Sequence, residues 1–332
     1  MNRREKRQKR FLKKQPKIVD VQTETKKIEK EKDTSNSFYY KHYKKLLIIP
    51  FVMLLFGIMI IGINIATTGD FITKGISFTG GTELIITKQG LNAKTIEQKL
   101  QQEFPLNDVI VRETTSFGQI TGITIESNII QENQEQVKKF TNKVKELTNP
   151  SQGELTENIL GAKMGESFFQ QLMVGILIAL LFMGIVVFLY FRTIIPSAAV
   201  ILAAISDIIV TIAITDLFGM KIGVAGITAL LMLIGYSVDT DILLSSRVLK
   251  NKEGTVYKRT IDSMKTGITM TVTTMAAIIV TLIMAHLNSI GELTEIMTII
   301  LIGLLVDLIN TWLQNASILR WYMERKEKNE QN

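Results

Sequence analysis

Cysteine is absent from all 332 residues, which excludes a disulfide framework, a thiolate nucleophile and any cysteine-ligated metal or iron–sulfur site. Histidine is almost as scarce: His42 and His286 are the only two and lie far apart, which argues against a histidine-based metal centre. No metal and no cofactor is expected. Catalytic motifs are missing too. Lys265-Thr266-Gly267 matches the KTG element of penicillin-binding enzymes, but no S-x-x-K partner accompanies it. An intramembrane aspartyl protease needs two converging aspartates, and Asp207 with Asp239 would supply them, yet IGYSVD lacks the glycine pattern expected before such an aspartate. The chain therefore reads as a non-enzymatic protein.

Apolar residues are plentiful, at 46% of the chain. A bilayer is crossed by about 20 largely apolar residues, and six stretches qualify: Leu46 to Ala66, Leu172 to Phe191, Pro196 to Phe218, Ile222 to Leu244, Gly267 to Leu287 and Leu293 to Leu313. Basic residues cluster in the N-terminal tail, at Arg192, at Arg247, Lys250, Lys252, Lys258, Arg259 and Lys265, and at Arg320, Arg325, Lys326 and Lys328. The short loops on the other side hold only Lys221. The positive-inside rule then predicts a multi-pass protein of the cytoplasmic membrane with both termini in the cytoplasm.

Five regions are expected. Residues 1–45 are strongly basic without apolar periodicity and read as a disordered cytoplasmic tail. It serves either as a topology anchor or as a contact for anionic membrane lipid or ribosomal RNA, with no other nucleic acid expected. Residues 46–66 form the first transmembrane helix, too long and too deeply preceded by charge for a cleaved signal peptide. Residues 67–170 form an extracytoplasmic α+β domain in the order strand, helix, strand, strand, helix, strand, which is that of a ferredoxin-like sandwich. Residues 171–320 form a five-helix transmembrane bundle with short connections. Within it, Leu249 to Thr266 reads as a basic, partly helical segment on the membrane surface. Residues 321–332 form a cytoplasmic tail.

Charges inside the spans cost about 2.5–3.5 kcal/mol each and default to a functional reading. The candidates are Asp207, Asp239, Asp241 and Asp307, with Asp216 near enough to a span end to be interfacial. No lysine or arginine lies at matching depth; the nearest cations are Arg247 and Lys265, at span ends, from which they can snorkel or reach inward. A desolvated carboxyl group can take up and release a proton. Asp239 and Asp241 point about 200° apart on one helix, so they serve different neighbours. Asp239 shares its face with Ala225, Thr228, Met232 and Gly235, and Asp241 shares its face with Ser237 and Ser245. Asp239 is the favoured proton carrier. Thr266, Thr269, Thr273 and Ala277 offer a matching small and hydroxylated face on the next span.

Five blocks in order, GISFTGGTEL, GAKMGESFFQQ, YFRTIIPSAAVILAAISDI, LLMLIGYSVDTDILLSSRVLK and LLVDLINTWLQNASILRWY, resemble the SecF family of protein-export membrane proteins, especially its archaeal form. The resemblance covers Tyr43 to Arg325. It implies an RND-like arrangement, pairing with SecD, association with the SecY channel, contact with secreted polypeptide chains, and coupling to the proton gradient through the fourth helix. The coupling region falls on Val238 to Asp241, with Thr240 where bacterial members carry their aspartate. Thr266, beside Lys265, stands where they carry a cation. Gly80, Gly81 and Thr82 match the D-F-T-G-G-T motif, in which Ser77 replaces the aspartate, and imply a hinge between the first helix and the outer domain. The alternative is an RND-type small-molecule or lipid transporter subunit, which a large apolar pocket in the outer domain would favour.

Overall fold

The computed structural model describes residues 38–116, 119–130, 133–250, 254–288 and 290–331. The basic tail lies outside them up to residue 37. The chain divides at Leu46 into two units. The first contributes one described helix, α1 (Phe38–Leu46), with Lys44 and Lys45 in its last turn.

The second unit opens with α2 (Ile48–Thr68), which ends on Gly69 in the left-handed conformation. A short turn of helix, α3 (Ile76–Thr79), leads into a four-stranded antiparallel sheet. Its elements follow the chain as β1 (Gly81–Ile86), α4 (Ala93–Glu103), β2 (Val109–Ser116), β3 (Gln119–Ser127), α5 (Gln134–Thr148) and β4 (Leu155–Leu160). The strands lie in the order β2-β3-β1-β4. Alternation decides which face is buried: Leu84, Ile86, Ile123 and Ile125 turn inward against Ile96 and Leu100 of α4 and Phe140 and Val144 of α5. Asn92 and Asn133 cap the two helices by accepting from the Thr95 and Gln136 amides at 3.0 and 3.3 Å.

Five long helices follow: α6 (Ala162–Phe191), α7 (Ile194–Leu217), α8 (Val224–Lys250), α9 (Val256–Leu287) and α10 (Gly291–Ile309). A π-helical turn, Asn310–Asn315, joins α10 to α11 (Ala316–Gln331). Among the described residues, six segments are long and apolar enough to cross a membrane, including one that runs His42–Thr68 and one that runs Gly291–Asn329. Leu249 to Thr266 is helical at both ends: α8 runs to Lys250, and α9 begins at Val256 and runs as one 32-residue helix. Residues 321–331, expected as a cytoplasmic tail, are helical and continue α11.

Helix α7 is the centre of the bundle. Small side chains at Ala199, Ala203, Ala204 and Ser206 let neighbours approach it, whereas α2 and α6 leave Leu55, Leu177, Leu181 and Leu189 exposed on the outside, as suits a hydrocarbon solvent. Sheet and bundle are tied at one end. Ile222 N donates to Thr73 O at 2.8 Å, and Gly75 N donates to Ile222 O at 2.9 Å. Asp216 holds the same corner, accepting from Asn64 Nδ2 at 2.8 Å and from Thr73 N at 3.0 Å. Thr115 of β2 reaches the carbonyl of Leu287 at 2.8 Å.

Candidate functional site: a buried layer of carboxyl and amide groups

Helical period sorts the polar residues of α8 into two sets. Ser237, Asp241 and Ser245 recur every four residues and are fully buried. Asp239 lies on the opposite side and is exposed, together with Thr228, Met232 and Gly235. The two faces expected from the sequence are both there, but the inward one belongs to Asp241.

Two further helices bring carboxyls to the same place. Asp207 of α7 accepts from Ser237 Oγ at 2.6 Å and from Asn310 Nδ2 at 2.7 Å. Asp241 accepts from Asn315 Nδ2 at 2.6 Å and from Thr311 Oγ1 at 3.1 Å. Asp307 of α10 meets the same Thr311 hydroxyl at 3.0 Å. All three acids are at most 1% exposed. Among the described residues no lysine, arginine or histidine is a partner of any of them.

The Thr311 hydroxyl carries one proton but contacts two carboxyl oxygens. When it donates to one acid, its contact with the other is satisfied only if that acid supplies a proton of its own. Among the described residues, Asp241 Oδ2 and Asp307 Oδ2 are buried with no hydrogen-bond partner, as are Asn310 Oδ1, Asn315 Oδ1 and both amide atoms of Gln314. The layer thus gathers three carboxyl groups and several unsatisfied amide atoms with no lysine, arginine or histidine partner among the described residues. No group of three or more His, Cys, Asp or Glu among the described residues is arranged to hold a metal ion.

Asp207, Asp241 and Asp307 are thus brought together, and Asp239 is not: it makes no hydrogen bond or ion pair among the described residues. The favoured proton carrier of the sequence reading thus lies on the exposed face of α8, on the side opposite Asp241. Arg247 and Lys265 do not reach inward. Arg247 donates to Thr266 Oγ1 at 2.8 Å and to the Asp262 carbonyl at 3.2 Å, tying the end of α8 to the start of α9; Lys265 is exposed. Thr269 and Thr273 are also exposed and turn their hydroxyls back on their own helix at 2.8 Å, so that face does not meet the acids. The residues missed by sequence reasoning are Gln314 and Asn315. They continue the stripe Asp307, Asn310, Thr311 at helical spacing, a signal present in LINTWLQNAS.

Gly80, Gly81 and Thr82 lie at the start of the sheet. Gly80 has φ 78° and ψ 164°, a backbone region essentially closed to other residues. A Cβ on Gly81 would collide with the carbonyl of Ser127, and the buried Thr82 hydroxyl donates to Ile129 O at 2.7 Å.

Six membrane-length helices, a sheet domain inserted after the first, and carboxyls buried without cations define a polytopic membrane protein with an ionisable interior. A family model described as "Protein export membrane protein SecD/SecF, C-terminal" matches residues 139–325. Proteins named protein-export membrane protein SecF are similar over most of the chain. That of Methanocaldococcus jannaschii is 36% identical over 289 residues, covering 85% of this chain and 96% of the relative. That of Pyrococcus furiosus is 35% identical over 299 residues, covering 86% and 93%. The chain belongs to the SecF family. The solved SecDF of Thermus thermophilus, titled a translocon-associated membrane protein, superposes with a TM-score of 0.64 at 17% identity over 87% of this chain. A super-membrane-facing form of SecDF gives 0.56 at 19% identity over 85%. The chain spans 39% of each of those longer chains.

Proposed function

We propose that this protein is a non-enzymatic subunit of a membrane complex that assists protein export, working with SecD beside the SecY channel, and that its buried carboxyl layer couples helix movement to uptake and release of a proton or another monovalent cation. The carrying observation is the three-helix layer of Asp207, Asp241 and Asp307 with no cation among its partners. Burying carboxyls in a bilayer is costly, and a staple between helices needs one polar pair, not three acids, two asparagines and a glutamine.

The uncovered face of α8 supports a partner. An aspartate facing hydrocarbon is unfavourable, so Asp239 with Thr228, and the exposed Thr269 and Thr273 of α9, form the surface that SecD covers. The sheet domain is ferredoxin-like, and the reading rests on its strand order β2-β3-β1-β4. It faces outward and meets the emerging polypeptide, with Gly80 as the joint; the distribution of basic residues supports cytoplasmic termini. A small-molecule carrier is the weaker reading. The apolar cavity of about 620 Å³ is lined by residues such as Ile61, Met173, Ile208 and Leu230 and, from residues 67–170, by Phe71 and Ile72 but by no residue of the sheet.

The test is export of a secreted reporter in cells that depend on Asp241→Asn, with SecD pull-down as the assembly control. Asparagine keeps an acceptor for Asn315 and Thr311 but cannot carry a proton. Export is expected to fall severalfold with the complex intact. Normal export would reduce the layer to a structural role.

A further inference from the structure

Strand register shows which end of the sheet domain lies nearest the bilayer. β4 ends at Leu160 and the membrane-length helix α6 begins at Ala162, so Leu160 marks the near end. Leu160 pairs with Gly81, Thr82 with Ser127 and Ser127 with Val109, which carries that end across all four strands. The turn between α4 and β2 therefore hangs from the near edge. In keeping with this, Lys221 Nζ of the α7–α8 connection donates to Asp108 Oδ2, just before β2, at 3.2 Å.

That turn is built to hold a leucine in the open. Asn107 N donates to the Phe104 carbonyl at 3.0 Å, closing a four-residue turn with Pro105 in the second place, where proline is favoured, and Leu106 in the third. Gln101 of α4 clamps it, donating to the Asn107 carbonyl at 3.0 Å and accepting from Val109 N at 3.3 Å. Asn128 Oδ1 holds the other side, accepting from Asn107 Nδ2 at 3.0 Å and from Asp108 N at 3.2 Å. Leu106 itself is 95% exposed, the highest value for a large hydrophobic side chain among the described residues.

A lone exposed leucine is ordinary on a surface bathed in water, so its place decides what it does. Leu217 and Phe218, four and three residues before Lys221, are 60% and 73% exposed at the end of the Ile194–Leu217 span, where the apolar surface of the bundle faces hydrocarbon. Two residues of chain reach at most about 7 Å, which keeps Leu106 beside the Asp108–Lys221 bridge. We propose that Leu106 continues this lipid-facing surface onto the sheet domain and inserts into the adjacent leaflet, at the boundary of head groups and acyl chains where apolar side chains of interfacial segments settle. The domain then stands on two supports, the joint at Gly80 and a lipid-embedded foot at Leu106. It rocks only by drawing the leucine out of the lipid. Only the crossing of a bilayer by the helices is presupposed; the foot acts whether or not the chain takes part in export.

Because the chain has no cysteine, an introduced thiol carries a fluorescent label at a single place. Full-length Leu106→Cys is compared with Leu55→Cys, on the exposed side of α2, and with Gln89→Cys, exposed beyond the far end of β1. Each is labelled with a nitrobenzoxadiazole dye in phosphatidylcholine nanodiscs, with or without lipid bearing a nitroxide near the top of one acyl chain. Quenching at position 106 is expected to approach that at position 55 and to exceed that at position 89 severalfold. A second arm leaves the leucine in place and labels Gln102→Cys, exposed in the last turn of α4. There Leu106→Ser should lower the quenching severalfold, with an unchanged melting temperature in detergent because the side chain makes no core contact. Quenching at position 106 no greater than at position 89, or quenching at position 102 that is the same with serine as with leucine, would overturn the proposal.

Discussion

Gly267 offers a sharp test of how the carboxyl layer is held. It lies on α9 where that helix crosses the π turn, and a Cβ built there would overlap the six-membered ring of Trp312 and stand 3.4 Å from the Thr240 methyl. Two effects oppose each other in Gly267→Ala. Removing a helix-interior glycine favours folding by about 1 kcal/mol, whereas forcing a methyl into a packed core costs about 1–3 kcal/mol. The ring has no free space to retreat into, because it is part of a core formed with Leu244, Val248, Val256, Ala316 and Leu319. Relief must come from the turn backbone, which carries Asn310, Thr311 and Asn315. The expected net result is a loss of up to about 2 kcal/mol. Gly175→Ala in α6 is the control: nothing lies within 4 Å of its Cβ position, so only the gain of up to about 1 kcal/mol remains. Equilibrium unfolding of both variants in mixed micelles measures the gap, expected at about 1–3 kcal/mol. Trp312→Phe in the Gly267→Ala background should recover part of the loss. If both alanine variants are stabilised alike, Trp312 does not pack against α9 and the reasoning fails.

Gly80→Ala should cost about 1–3 kcal/mol, because φ 78° with ψ 164° is a glycine conformation; thermal unfolding of the full chain measures it, and a neutral variant would mean a different turn. Arg259→Gln should lose about 2 kcal/mol through its buried bond to the Val248 carbonyl, while Glu327→Gln, half-exposed, should lose less than about 1 kcal/mol; comparable losses would place the strength in the Arg259–Glu327 ion pair instead. On the sheet, burial pushes the Glu126 carboxyl above its ordinary value of 4.5, against the opposing pull of Arg112. The folded chain then binds this proton more tightly than the unfolded chain, and stability falls as pH rises past 4.5. Glu126→Gln should flatten that slope in a pH series of unfolding curves.

Much of the architecture was legible because its signals are local. Within residues 67–170 the elements follow the expected order strand, helix, strand, strand, helix, strand, since alternation and 3.6-residue spacing each name a buried face without knowing what covers it. The site was less legible for the same reason. Helical spacing separated Asp239 from Asp241, but which of them faces inward depends on where α7 and α10 stand, and Ser237 and Asn315 supply that answer only in three dimensions. The threonines of α9 illustrate the limit: Thr269 and Thr273 form a face suited to helix packing, yet the chain's own helices pack on Gly267 and Thr271 instead. The π turn gave no compositional cue, because one unpaired backbone step is a property of hydrogen bonding and not of residue type.

That turn stores a surplus residue in the backbone between α10 and α11. A surplus of this kind can be passed one place along a helix by exchanging a single hydrogen bond, and only the residues it passes rotate, each by about 100°. Passing it beyond Asn315 would swing that amide away from Asp241 while the helix above and the helix below stay in place. In the position seen here the turn sets Asn315 against Asp241, so the register of the backbone and the grip on that carboxyl are fixed together.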